Sequence, residues 1–321
     1  MSARIYVGDS GTNREKSLEQ AFGFIGLSGE LSHASKVFVK PNFTFPRPVP
    51  GVTTSQELLE TTLKLLSETG VEVFVGESNG GYGSFLASEA FAGHGLRDIC
   101  QRTHAQMINL SAQETVECSE EVGGRWTTVS LPRILVDEID FAISVPVLKV
   151  HAMTTVSLSL KNLWGCYPTD LRLLEHRELD RKLALISKLA KVRFGLVDAF
   201  YGLDEHGPMQ GTPRNLGRFI GGNDLVTLDF ACARMMGFNP TAILHLRNLA
   251  RFIRGVNPAP EIQSNEDLSK FNWGFTLHRG FIDTLSFAAF HNDTLAKLVY
   301  DSPATKPIYA ILGREPRKKL E

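Results

Sequence analysis

The chain has 321 residues, 43% hydrophobic and 21% charged, with a formal net charge of −1. That balance supplies ample core for one large domain or two moderate ones. It gives no global attraction to nucleic acid or to an anionic membrane surface, so neither is expected as a partner. Cys100, Cys118, Cys166 and Cys232 stand far apart with no CxxC pair. The spacing argues against a disulfide framework, a cysteine-ligated zinc and an iron–sulfur cluster, and for reduced thiols in a cytoplasmic protein.

The opening MSARIYVGDSG runs directly into a short strand, without the charged segment and apolar run of a secretory signal. No window holds the ~18 uninterrupted apolar residues of a transmembrane helix. KVFVK (36–40) reads as a strand. Residues 54–69 carry leucines at helical spacing, with Thr53, Thr54 or Ser55 available as N-cap and Gly70 as the stop. VEVFVG (71–76) is the next strand, 85–92 and 96–103 are helical, and 107–110 is a strand. Gly123-Gly124 within 115–129 predicts a hairpin. Residues 139–148 form one strongly apolar strand, and 154–163 is expected as a helix capped by Thr154 or Thr155. A helix over 178–192, strands at 194–197 and 219–222, and helices over 225–236 and 241–253 follow.

This alternation predicts an α/β fold with a largely parallel sheet flanked by helices, arranged in two lobes about a cleft. Residues 1–256 form the body and 257–321 a C-terminal appendage, with a helix over 293–300, packed against it. Ligands of such sheets bind at the carboxyl ends of the strands, and those ends here carry chemistry. Lys40-Pro41-Asn42 follow one strand and Glu77-Ser78-Asn79 the next; Lys149 and His151 follow the third, Asp198 the fourth and Asn223-Asp224 the fifth. Each alone is more often a solvated loop residue than a ligand. Five in register point to one composite site.

Lys149 and His151 are two apart and share a direction on an extended segment. Lys161 falls on one helical face with Ser157, and a helix start at Thr154 favours an anion nearby. Three converging cations suit a carboxylate or phosphate, and their mutual repulsion holds one lysine neutral enough to act as a base. Lys149, His151 and Lys161 are therefore the candidate catalytic groups. Lys40, Asn42, Glu77, Asn79, Thr154, Ser157 and Asn162 are the candidate substrate contacts. Replacing Lys149 or Lys161 by alanine is expected to abolish binding or activity with the fold intact.

The cluster Asp198, Asp204, Glu205, His206 offers ligands for a divalent metal, although a solvated acidic loop is the commoner meaning of such a run. His176 stands where an exposed histidine is common, and Trp164 and Tyr167 read as core or rim. The glycines of ESNGGYGS (77–84) do not spell a nucleotide-binding motif.

Five segments together resemble the DUF362 family: VFVKPNF (37–43), the helix and strand of 51–78, VDEIDFAISVPVLKVHAMTTVSLSLKNLWGCYP (136–168), VDAFYGLDEHGPMQG (197–211) and 222–238. The resemblance implies a shared site built on Lys40, Asn42, Lys149, His151, Lys161, Asn162 and Asp198. Many similar proteins also carry a ferredoxin-like segment with CxxC repeats, which this chain lacks, so no iron–sulfur cluster is implied. Where the family pattern has Glu-Gly before Asn-Gly-Pro, this chain has Asp204-Glu205-His206-Gly207-Pro208. By analogy of fold and site type alone, the arrangement is similar to that of lactate racemases. The expected function is an enzyme acting on a small anionic substrate by Lys/His acid–base chemistry, of isomerase, epimerase or lyase type, in a specialised biosynthetic pathway. The alternative is a non-catalytic metal- or anion-binding module serving a redox or biosynthetic partner.

Overall fold

The structure, a computed structural model, describes residues 2–81, 84–169, 171–255 and 260–280, with isolated positions 283, 292, 294, 297, 298, 302 and 303 beyond them. In chain order, β1 (Ala3–Asp9), α1 (Arg14–Phe24) and α2 (Leu27–Leu31) lead into β2 (Lys36–Pro41), α3 (Gln56–Ser67) and β3 (Glu72–Glu77). Then come α4 (Ala87–Gly93), α5 (Leu96–Thr103), β4 (Gln106–Asn109), and the hairpin of β5 (Thr115–Val122) and β6 (Arg125–Pro132). The middle of the chain forms β7 (Phe141–Val145), β8 (Val147–His151), β9 (Thr155–Ser157), α6 (Ser159–Asn162) and α7 (Leu179–Leu189). Two long strands, β10 (Val192–Asp204) and β11 (Thr212–Gly222), precede α8 (Leu225–Met236), α9 (Leu244–Arg254) and β12 (Ile262–Ser264).

The large sheet has the order β12-β1-β11-β10-β7-β2-β3-β4, and the run from β10 through β7, β2 and β3 to β4 is parallel throughout. The strand period of two distributes its side chains between two cores. Val37 and Val39 of β2 pack with Leu58, Leu63 and Leu66 of α3 on one face. Phe38, between them, packs with Leu183 and Ile186 of α7 on the other. Every residue of β7 is buried, as a central strand covered on both faces requires. No described helix is long and apolar enough to cross a membrane.

Three local expectations are corrected. The single strand expected over 139–148 is broken at Pro146, which has no N–H for a ladder. Before it, β7 lies between β10 and β2, Pro41 facing Val145; after it, β8 keeps β10 as a partner and exchanges β2 for β9. The chain thus leaves β2 at the carboxyl end of the sheet, and space opens there. The helix expected over 154–163 is the strand β9 followed by the single turn α6, with Thr155 at φ 67°. The loop expected after 197 is instead the long β10–β11 hairpin. Helices α1 and α2 had no sequence expectation. The helix expected over 293–300 lies outside the described residues.

Residues 260–280 are knitted into the body. Strand β12 extends the sheet beside β1. Phe275 is buried, its N–H donates to Met236 O at 2.7 Å, and Glu205 N–H donates to Thr276 O at 3.1 Å.

Candidate functional site

A cleft of about 590 Å³ lies where the chain leaves β2, lined by the residues that follow β2 and β3 and by β8, β9 and α6. It gathers Asn42, Glu77, Lys149, His151, Ser157, Lys161, Asn162 and His206 from the sequence expectation. Lys40, Asn79, Thr154, Asp198 and Asp204 are not on its wall.

Lys40 is 1% exposed and serves beneath the wall. Its ammonium donates to Glu77 Oε2 at 2.5 Å and to Pro41 O at 2.8 Å. Glu77 also accepts the backbone N–H groups of Phe43 and Ser78. These bonds tie the Glu77 carboxylate to the Lys40 ammonium and to the backbone that follows β2 and β3. The pair fits because position 165 is glycine: a Cβ there would lie 2.2 Å from Glu77 Oε1 and 2.7 Å from Lys40 Nζ. Asn162 joins this layer, donating from Nδ2 to Lys40 O at 2.9 Å and to Ser144 Oγ at 3.1 Å.

Lys149, also 1% exposed, donates to Val52 O at 2.8 Å, Asn42 Oδ1 at 3.2 Å and Thr44 Oγ1 at 3.3 Å. Three acceptors saturate an ammonium. They favour its charged form, but burial, and then the charge of Lys161, pull the group down to about 7. Lys161 differs. It is partly exposed to the cleft and has no hydrogen-bond or ion-pair partner among the described residues. Burial, then Arg172, lower it to about 8, with Asp180 opposing.

His151 accepts the Met153 N–H at Nδ1, 3.1 Å, which places the proton of the neutral ring on Nε2. Burial, then Lys161 and Lys149, hold its pKa well below the usual histidine value, so the ring is neutral. It faces the cleft as an N–H donor.

The short helix that presents Lys161 and Asn162 is held from behind. The carboxylate of Asp229, on α8 and 1% exposed, accepts the N–H groups of Ser159 and Leu160 at 2.8 and 3.0 Å. Asp229, not Thr154, caps this turn, and its N–H groups are already taken by the protein's own carboxylate. Thr154 Oγ1 instead donates to Val156 O. The carboxyl of Asp229 is pushed up to about 7 by burial, against the pull of those N–H bonds.

The proposed metal ligands are not brought together. Asp198 is inside β10, and its carboxylate accepts the N–H groups of Ser55, at the start of α3, and Phe200. Asp204 is committed to the N–H groups of Glu205 and Thr276 and to Arg214. His206 reaches the cleft alone, its ring 5.5 Å from that of His278. Among the described residues no three His, Cys, Asp or Glu side chains are placed to share a metal ion. Asn79 is structural, its Oδ1 accepting the Ala87 N–H at the start of α4.

Sequence reasoning missed Arg172 and the placement of His176. Both are buried in the cleft wall. Arg172 donates to Asn79 O at 2.8 Å, and His176 is edge-on to Trp164 with ring centroids 5.8 Å apart. Their spacing of four, on one face of a helical turn, was the available signal. Asp283 also lines the cleft and accepts the Gly280 N–H.

Fold and site together define an α/β protein with a cationic cleft at the carboxyl edge of its sheet. The chain belongs to the DUF362 family, described as a domain of unknown function, which matches residues 37–234. A thylakoid-associated protein from Synechocystis is 26% identical over 248 residues, spanning 73% of this chain and 72% of that protein. Among solved structures, the lactate racemase apoprotein from Thermoanaerobacterium thermosaccharolyticum aligns with a TM-score of 0.48 and 15% identity. That alignment covers 73% of this chain and 57% of the racemase, so the chain spans little more than half its length. A protein from Thermotoga maritima aligns at 0.41 and 16%, covering 68% of this chain and 58% of that one.

Proposed function

We propose that this protein is an enzyme acting on a small carboxylated or phosphorylated substrate by Lys/His proton transfer, as an isomerase, epimerase or lyase. The observation that carries this reading is the wall of Lys149, Lys161 and Arg172 around a cleft whose Glu77 is already bonded to Lys40. Cations in a partly desolvated cleft attract an anion more strongly than they would at an open surface. Lys149 and Lys161, held at about 7 and about 8, each carry a sizeable neutral fraction near neutral pH, so one amine takes a proton while a charged neighbour holds the anion. The Nε2–H of His151 then donates to the substrate oxygen where negative charge develops. These groups support a reaction in which a C–H bond near the bound anion is broken with the help of that donor. Burial holds the thiols of Cys100 and Cys166 at about 11 and about 12, so neither offers a thiolate nucleophile near neutral pH.

A thermal-shift panel of carboxylates and phosphates tests this. Anions that bind the folded state raise Tm by mass action, and Lys161→Met is expected to erase the shift. A panel with no stabilising anion removes the reading. Tight binding with no turnover of any bound compound points instead to the anion-binding module.

A further inference from the structure

The three lysines of this region are held in three different ways. Lys40 has a carboxylate at 2.5 Å and Lys149 has three oxygen acceptors. Lys161 has no such acceptor among the described residues. The fold fixes its backbone, through Asp229 below and Asn162 beside it, but supplies nothing to hold its charge. Its neighbours Arg172 and Lys149 are cations. A lysine partly withdrawn from water and set beside another cation is the standard environment of an amine that reacts as a nucleophile. The other nucleophile candidates on this wall are hydroxyls such as Ser78 and Ser157, which need a base to activate them; His151 does not serve, because its Nδ1 is occupied by Met153 N–H.

We propose that Lys161 forms an imine with the carbonyl carbon of a 2-oxo acid, whose carboxylate is held by the adjacent cations. This rests on the anion reading above and names the substrate class of the same cleft. The Lys161 nitrogen attacks the carbonyl carbon to give a carbinolamine. The former carbonyl oxygen then leaves as water with the two protons the amine loses, and C=N replaces C=O. Protonated, the imine withdraws electrons from the neighbouring carbon and makes its C–H acidic. The proton is then lost from C3, the carbon adjoining the iminium carbon, since C2 of a 2-oxo acid carries no hydrogen, and the neutral fraction of Lys149 accepts it. Hydrolysis returns the free lysine.

The test is reductive trapping of the full-length protein with glyoxylate or pyruvate and sodium cyanoborohydride, read by peptide mass mapping. Both probes are small enough for this cleft whatever larger 2-oxo acid occupies it. Lys161 should be alkylated at least about tenfold faster than the exposed Lys16, reflecting its larger neutral fraction. Lys161→Arg, which keeps the cation and removes the nucleophile, should lose this adduct and keep the thermal shift given by pyruvate alone. Labelling of Lys161 no faster than Lys16 in the wild type overturns the imine. A pyruvate-induced shift that persists in that case leaves the anion cleft standing, and loss of both removes both readings. Trapping with acetone as efficient as with pyruvate overturns the assignment to 2-oxo acids. The wild-type measurement stands even if a variant fails to fold.

Discussion

Lys149 and Lys161 are the same residue type in the same cleft, but they are expected to respond differently to removal. Lys149→Met leaves Asn42 Oδ1, Thr44 Oγ1 and Val52 O without their donor. Unsatisfied buried acceptors cost about 1–3 kcal/mol, so the variant should melt lower. Lys161→Met breaks no hydrogen bond recorded among the described residues and should stay within about 0.5 kcal/mol of wild type. Chemical denaturation of the two variants checks this, and equal losses would contradict the division of roles. Of the two lysines, only Lys161 is therefore predicted to be dispensable to the fold. Both residues stood out in the sequence as cations following an apolar strand. Their different partners did not, because Val52, Asn42 and Thr44 reach Lys149 across about a hundred residues of chain.

The decisive element is α6, four residues too short to be stable alone. It exists because Asp229 accepts two of its N–H groups from α8. Asp229→Asn turns an NH2 toward N–H donors, at a cost of about 1–3 kcal/mol, and loosens the turn that carries Lys161 and Asn162. The expected outcome is a lower Tm together with slower reductive trapping at Lys161. Trapping at the wild-type rate would show that the turn keeps its place without the carboxylate. The strands β2, β3 and β4, the helices α3, α5 and α8, and the β5–β6 hairpin were legible from period, caps and turn glycines. The break at Pro146 was visible as a residue, but its consequence, the exchange of β2 for β9 as a partner, depends on strand pairing and could not be read locally.

Across the whole molecule, charge burial predicts a pH dependence. Lys149 and Lys161 titrate at about 7 and about 8 in the folded state, below the 10.5 of an unperturbed lysine. Between those values the unfolded chain binds more protons, so these two groups make stability rise with pH from about 7 to about 10. Relative to a Lys149→Met/Lys161→Met double variant, the wild type should gain stability over that window. Denaturation at several pH values reads the difference, and a flat difference contradicts the depressed pKa values. Anion affinity runs the opposite way. It should fall as pH rises through 7 to 8, because the ammonium groups that hold the anion discharge, and calorimetric titration at pH 6.5 and 9 measures it.

The sequence by itself determined the α/β class, the family and the cationic segment, because strand and helix periods and the KPN and K-x-H stretches are local patterns. Only the tertiary structure decided which of those groups share a cleft. It buried Lys40 beneath the wall, drew Asp198 inside β10 away from Asp204 and His206, added Arg172 and His176, and supplied Asp229 as the cap. The physical reason is that a charge's role depends on its acceptors and its access to water. In a sheet of this order both come from strands and helices remote in the chain, and periodicity carries no record of them.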